Sequence, residues 1–137
     1  MTSAHGGRLR CVVVTPETTV SETTSDFVAL PLFDGEIGIA PGHSAMIGRL
    51  GYGEMRLKNG NATERLYVDG GFVQVVDNQV SVLTNRALPV TALDMHVAAE
   101  HLSAARKRPS NTPELMAIRD RLELQARAQL RAARRTR

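Results

Sequence analysis

Phe33-Asp34-Gly35-Glu36-Ile37-Gly38-Ile39-Ala40-Pro41-Gly42-His43 places three glycines and a proline around two isolated branched residues. Glycine reaches backbone angles that other residues avoid, and proline fixes one angle and removes a donor. Ile37 and Ile39 stand two apart, so both side chains point to one face of a short strand. The stretch reads as tight turn, short strand, tight turn, with Gly35, Gly38, Pro41 and Gly42 as turn formers. It carries Glu36 and His43 at its two ends. Glu36 reads alternatively as a solvated turn residue, and His43 as a side chain that holds its own turn by a hydrogen bond.

Outward from this segment the pattern stays short and β-like as far as about Leu88. Leu9, Cys11 and Val13 alternate with Arg10, Val12 and Val14. Phe27, Ala29 and Leu30 form a run that stops at Pro31, and Met46, Ile47 and Leu50 precede Gly51. Met55 and Leu57 lead to Asn59-Gly60-Asn61, a hairpin signal. Leu66 and Val68 lead to Asp69-Gly70-Gly71, with both glycines read as turn residues. Phe72, Val73, Val75 and Val76 run to Asp77-Asn78, and Val80 and Val82 alternate beyond it. Such spacing predicts an antiparallel β-sandwich of about ten strands over residues 1–89.

After Pro89 the period becomes helical. Thr91 is read as the cap of a small-residue helix that ends near Arg106. Pro109-Ser110-Asn111 break it. Thr112, Pro113 and Glu114 start a second helix that runs to about Arg134. Leu115, Ile118, Leu122 and Gln125 keep helical spacing along it, and Leu124 and Leu130 widen the stripe. Residues 90–137 are thus expected to form an antiparallel two-helix hairpin, and the chain as a whole is α+β.

The 137 residues carry a net charge of +3, unevenly placed. Residues 1–104 hold 7 Lys/Arg against 11 Asp/Glu, and residues 105–137 hold 10 against 3. The basic tail calls for an acidic partner, whether nucleic acid, anionic lipid or protein. Aromatic residues make up 4%, with no Trp, which argues against a base-stacking platform or a membrane-surface helix. An arginine-tailed module for nucleic acid or another acidic partner is the alternative reading.

Catalysis finds little support. No metal-ligand spacing, nucleophile elbow or phosphate loop is present, and Gly35-x-x-Gly38 lacks the Lys-Ser/Thr of such a loop. The single Cys11, beside three valines, reads as a buried strand residue. No catalytic residue, metal or cofactor is expected. The start of the chain lacks the apolar core of a signal peptide and the pattern of a transit peptide, and no apolar run approaches membrane-spanning length.

Asp34 to His43 resembles the Gly-Glu-(Leu/Ile)-Gly-(Ile/Val)-x-Pro-Gly-His motif of the epsilon subunit of F-type ATP synthases. Tyr67-Val68-Asp69-Gly70-Gly71-Phe72-Val73-Gln74-Val75 is similar to that family's second signature. Asn78 to Ala87 continues the likeness. The resemblance implies a non-catalytic rotor-stalk subunit that clamps the gamma subunit to the ring of c subunits. It implies that Glu36 and His43 face the ring. It further implies a helical tail that inhibits ATP hydrolysis through basic residues set against an acidic lobe of the beta subunit.

Here Arg127, Arg131 and Arg134 share one helix face, and Arg135 and Arg137 extend the charge. Some members bind ATP through (Ile/Leu)-Asp-x-x-Arg-Ala. This chain has Leu93-Asp94-Met95-His96-Val97-Ala98, and the valine cannot pair with a phosphate, which counts against nucleotide binding at Asp94. Localisation by resemblance is the cytoplasmic side of a bacterial inner membrane. The membrane would be touched only through the complex.

Overall fold

The computed structural model describes residues 7–135, and Arg137 lies outside them. Two compact units are present, the first ending at Pro89 and the second beginning at Val90.

In the first unit the strict alternation of β1 (Leu9–Val14) puts Leu9, Cys11 and Val13 fully inside and leaves Arg10, Val12 and Val14 only partly covered. It runs antiparallel to β2 (Thr19–Ser25) and parallel to β7 (Gln79–Leu83). β3 (Phe27–Leu32) lies between β4 (Gly35–Ile39) and β5 (Met46–Asn59), antiparallel to both. β5 turns back at Gly60-Asn61 into β6 (Ala62–Val76), pairing along its length. A short β8 (Ala87–Pro89) completes the set, so the order is β2-β1-β7-β6-β5-β3-β4 with β8 beside β6. Inward residues of these strands make one apolar core that includes Leu30, Ile39, Met55, Leu57, Val68, Val73 and Val82.

Among the described residues eight strands form where about ten are expected. The apolar run before Gly51 stops there in the sequence, and the Gly70-Gly71 pair reads as a turn, yet Gly51 and the pair lie inside continuous strands of 14 and 15 residues. β6 is flanked by β8 at Leu66–Val68 and by β7 at Phe72–Val76, so it changes partner across Gly70-Gly71. Those glycines bend a strand from one part of the sandwich to another. Gly38 likewise lies within β4 and forms no turn. β2 is a strand the sequence pattern conceals, because its inward positions are Ser21 and Ser25. It is an edge strand with one neighbour, where polar residues are tolerated.

Cys11 is wholly buried, and burial pushes its thiol up from 9.0 to about 11, partly offset by the Ser25 hydroxyl. The neutral thiol is favoured in the fold. Its contribution to stability is complete below 9.0 and is lost as pH rises toward about 11. The folded chain is therefore expected to leave Cys11 unreactive toward an aromatic disulfide reagent at pH 8, with full reaction in urea. Rapid modification without denaturant would show the strand to be open.

In the second unit a single 3-10 turn (Val90–Ala92) precedes α1 (Met95–Arg106) and α2 (Pro113–Arg135). Asp94, not Thr91, caps α1, accepting from the backbone N–H of His96 at 2.8 Å and of Val97 at 3.2 Å. The 3-10 turn occupies the residues where Thr91 would begin a helix. Thr112 caps α2 as expected, its hydroxyl accepting from Leu115 N–H at 3.2 Å. The helices pack side by side, and Ala98, Ala105, Ala126 and Ala132 are buried. Leu124 does not join that stripe; it is 54% exposed.

Candidate functional site

The glycine-rich segment is anchored by its isoleucines. Ile39 is fully buried and Ile37 packs on the core from a half-buried position. A Cβ at Gly38 would stand 2.5 Å from the Phe27 ring, so only glycine lets that ring lie across β4. Glu36 sits inside the strand, opposite Pro31, and not in a turn. Its carboxylate accepts a hydrogen bond from Arg56 Nη2 at 2.9 Å.

At the other end Ala40-Pro41-Gly42-His43 turns tightly, with His43 N–H donating to Ala40 O at 3.2 Å. Gly42 has φ +85°, and its N–H donates to Asn78 Oδ1 at 2.7 Å. Asn78 reaches it from a turn in which Asp77 and Asn78 are both left-handed. The two turns are therefore clasped to each other. His43 Nδ1–H donates to the Ser44 carbonyl at 2.8 Å, so that bond does not engage Nε2. The imidazole thus holds its own turn and still offers one nitrogen outward.

A second surface escapes the sequence reading. Ile47, Phe33, Phe72 and Leu83 are 76%, 61%, 59% and 55% exposed. Phe33 N–H donates to Arg49 O, Arg49 lies opposite Phe72, and Phe72 lies opposite Leu83. These residues form one row across the β3–β4 turn, β5, β6 and β7. The Arg49 guanidinium stands 4.2 Å from the centre of the Phe33 ring, a cation–π contact. Beside the row is an open cleft of about 730 Å³ over Gly70 and Gly71, bordered by Tyr52 and Asn85. Large apolar side chains are thus grouped on one exposed face of the sandwich. The available signal was the alternation of β6: with Val73 and Val75 inside, Phe72 and Val76 must face out.

On α2, Arg127, Arg131 and Arg134 are brought together with Arg106 of α1 around a shallow cleft of about 390 Å³. Glu123 partly neutralises them, its carboxylate forming ion pairs with Arg127 Nη2 at 2.7 Å and Arg106 Nε at 3.6 Å. Arg135 is exposed at the last position of the helix. The Asp94 carboxylate is committed to capping α1. Among the described residues no group of His, Cys, Asp and Glu could hold a metal ion.

The family described as "ATP synthase, Delta/Epsilon chain, beta-sandwich domain" matches residues 8–90. The chain belongs to the ATP synthase delta/epsilon chain family. The ATP synthase epsilon chain of Rhodopirellula baltica is 54% identical over 126 residues, covering 92% of this chain and 98% of that one. That of Granulibacter bethesdensis is 38% identical over 94 residues, covering 68% and 70%. A chain of the Euglena gracilis mitochondrial ATP synthase superposes with a TM-score of 0.78 at 20% identity, covering 95% of this chain and 81% of that one. A chain from the central stalk and c-ring of the Tetrahymena thermophila enzyme gives 0.75 at 12%, covering 97% and 99%. At these identities the two solved structures establish the shared fold. Family membership makes the chain a non-catalytic ATP synthase subunit, and the comparisons lend the nucleic-acid alternative no support.

Proposed function

We propose that the chain is a rotor-stalk subunit that fastens the gamma subunit to the c-subunit ring, so that ring rotation reaches the catalytic head. The exposed row Phe33-Arg49-Phe72-Leu83 carries this reading. A small sandwich that leaves two of its three phenylalanines in water has a contact to make, and the gamma subunit is the partner that covers them. The surface around β4, with Glu36 near its start and His43 beyond its end, meets the polar loops of the ring. Gly35, Pro41 and Gly42 keep that surface stiff, as a torque-bearing contact requires.

The helical unit acts as a brake. Arg127, Arg131, Arg134 and Arg135 would meet an acidic lobe of the beta subunit. Exposed ion pairs contribute only about 0–1 kcal/mol each, so several must act together and salt must weaken them. Membrane attachment is through the complex, at the cytoplasmic face of a bacterial inner membrane. No helix among the described residues is long and apolar enough to cross a membrane.

The test is ATP hydrolysis by the catalytic head with gamma, given either the full chain or a version ending at Pro89. Both are expected to bind, and only the full chain to slow hydrolysis, less so at higher salt. Equal hydrolysis with both would remove the brake. Failure of both to bind would remove the stalk assignment itself.

A further inference from the structure

Glu54 is an expense the fold does not need. Its side chain is 4% exposed, and both carboxylate oxygens are buried without a hydrogen-bond partner. Burying a carboxylate in that state is unfavourable, and a residue that breaks a local rule calls for a compensating role. Its ionic neighbour is Arg56, two residues along the same face of β5, whose Nη1 lies 3.6 Å from Glu54 Oε1. That separation is within ion-pair range and beyond hydrogen-bond range. The other terminal nitrogen of Arg56, Nη2, donates to Glu36 Oε1 at 2.9 Å. The guanidinium is therefore held between a buried anion and a half-exposed one, and is itself only 25% exposed.

We propose that Arg56, backed by the buried carboxylate of Glu54, is a positioning residue that fixes Glu36 for its contact with the ring. This rests on the assignment of Glu36 to the ring-facing surface. A lone glutamate at an exposed strand position samples several rotamers, and ordering it on contact costs free energy. The planar guanidinium removes that freedom beforehand by occupying Oε1, which leaves Oε2 to accept from the partner. Glu54 does the same for Arg56, from a position where its charge is little screened. Lysine at 56 could supply the charge but not the fixed fork.

The experiment uses the whole ATP synthase reassembled with variants of the full chain. It measures retention of the chain on the ring-containing complex and, separately, on the head with gamma but no ring. Glu36→Gln is expected to weaken retention on the ring-containing complex by about 3- to 10-fold and to leave the ringless head unchanged. Glu54→Gln and Arg56→Gln are expected to reproduce that loss, with Arg56→Lys intermediate. In a Glu36→Gln background they should add nothing, because their effect passes through Glu36.

A merely structural role would give Arg56→Gln the same effect in both backgrounds and would lower binding to the ringless head as well. That result overturns the proposal. No effect of Glu36→Gln itself would instead remove the assignment of Glu36 to the ring contact. Loss at Glu36→Gln, with Glu54→Gln and Arg56→Gln both silent, would keep that assignment and overturn the positioning role.

Discussion

Gly71→Ala is expected to destabilise the sandwich severely, more than alanine at any other described glycine. Gly71 has φ +110°, a conformation that L side chains rarely adopt. A Cβ there would stand 1.9 Å from the Leu83 carbonyl oxygen and 2.9 Å from the Thr84 Cα. Both obstacles are backbone, so no rotamer change relieves the clash. The position is where β6 passes from β8 to β7, so a shift of either strand costs ladder bonds on both sides. Strain and clash together should cost roughly 3 kcal/mol or more, against a total stability of about 5–15 kcal/mol. Thermal unfolding should show a fall of more than about 10 °C, or no soluble protein. Gly42→Ala is the comparison: it too has positive φ, +85°, but its Cβ would meet open space. That change should cost only about 1–2 kcal/mol. Equal, small shifts for both variants would show that β6 does not bend at Gly71 as described.

Phe72→Ser is expected to separate binding from folding. The ring is 59% exposed, so its loss should move the unfolding midpoint by no more than a few degrees. At the centre of a docking row the same change removes an anchor. Truncated aromatic anchors cost about 2–4 kcal/mol, or roughly 30- to 1,000-fold in the dissociation constant. Titration of the full chain against the head with gamma should show that loss without change in the circular dichroism of the free chain. A variant that binds gamma as tightly as the parent would move the contact elsewhere on the sandwich.

The parts of the fold legible in sequence are those written in short-range periodicity. Leu9-Cys11-Val13 and Val80-Val82 announce inward strand faces, Gly60-Asn61 a hairpin, and Thr112-Pro113 a helix start, and the structure places each there. β2 was hidden because an edge strand with Ser21 and Ser25 inward shows no apolar alternation. The excess of expected strands came from glycine, which serves turns and mid-strand bends with the same residue. Gly70-Gly71 cannot be told from a turn until the partners of β6 are known. The docking row was out of reach for a different reason. Each of its residues is an unremarkable outward position on its own strand, and only the register across β5, β6 and β7 brings them together. Arg56 and Glu36 are likewise 20 residues apart, and nothing local links them.

ATP-driven proton uptake into vesicles shows whether this chain fastens the stalk to the ring. ATP synthase would be assembled in membranes without the chain, and the full-length chain then added back. Weak pumping is expected without it, with the head detaching easily from the ring. Pumping should recover as the chain binds, and Phe72→Ser should fail to restore it at the same concentration. Full pumping in the complete absence of the chain, with the head still held on the ring, would contradict the account.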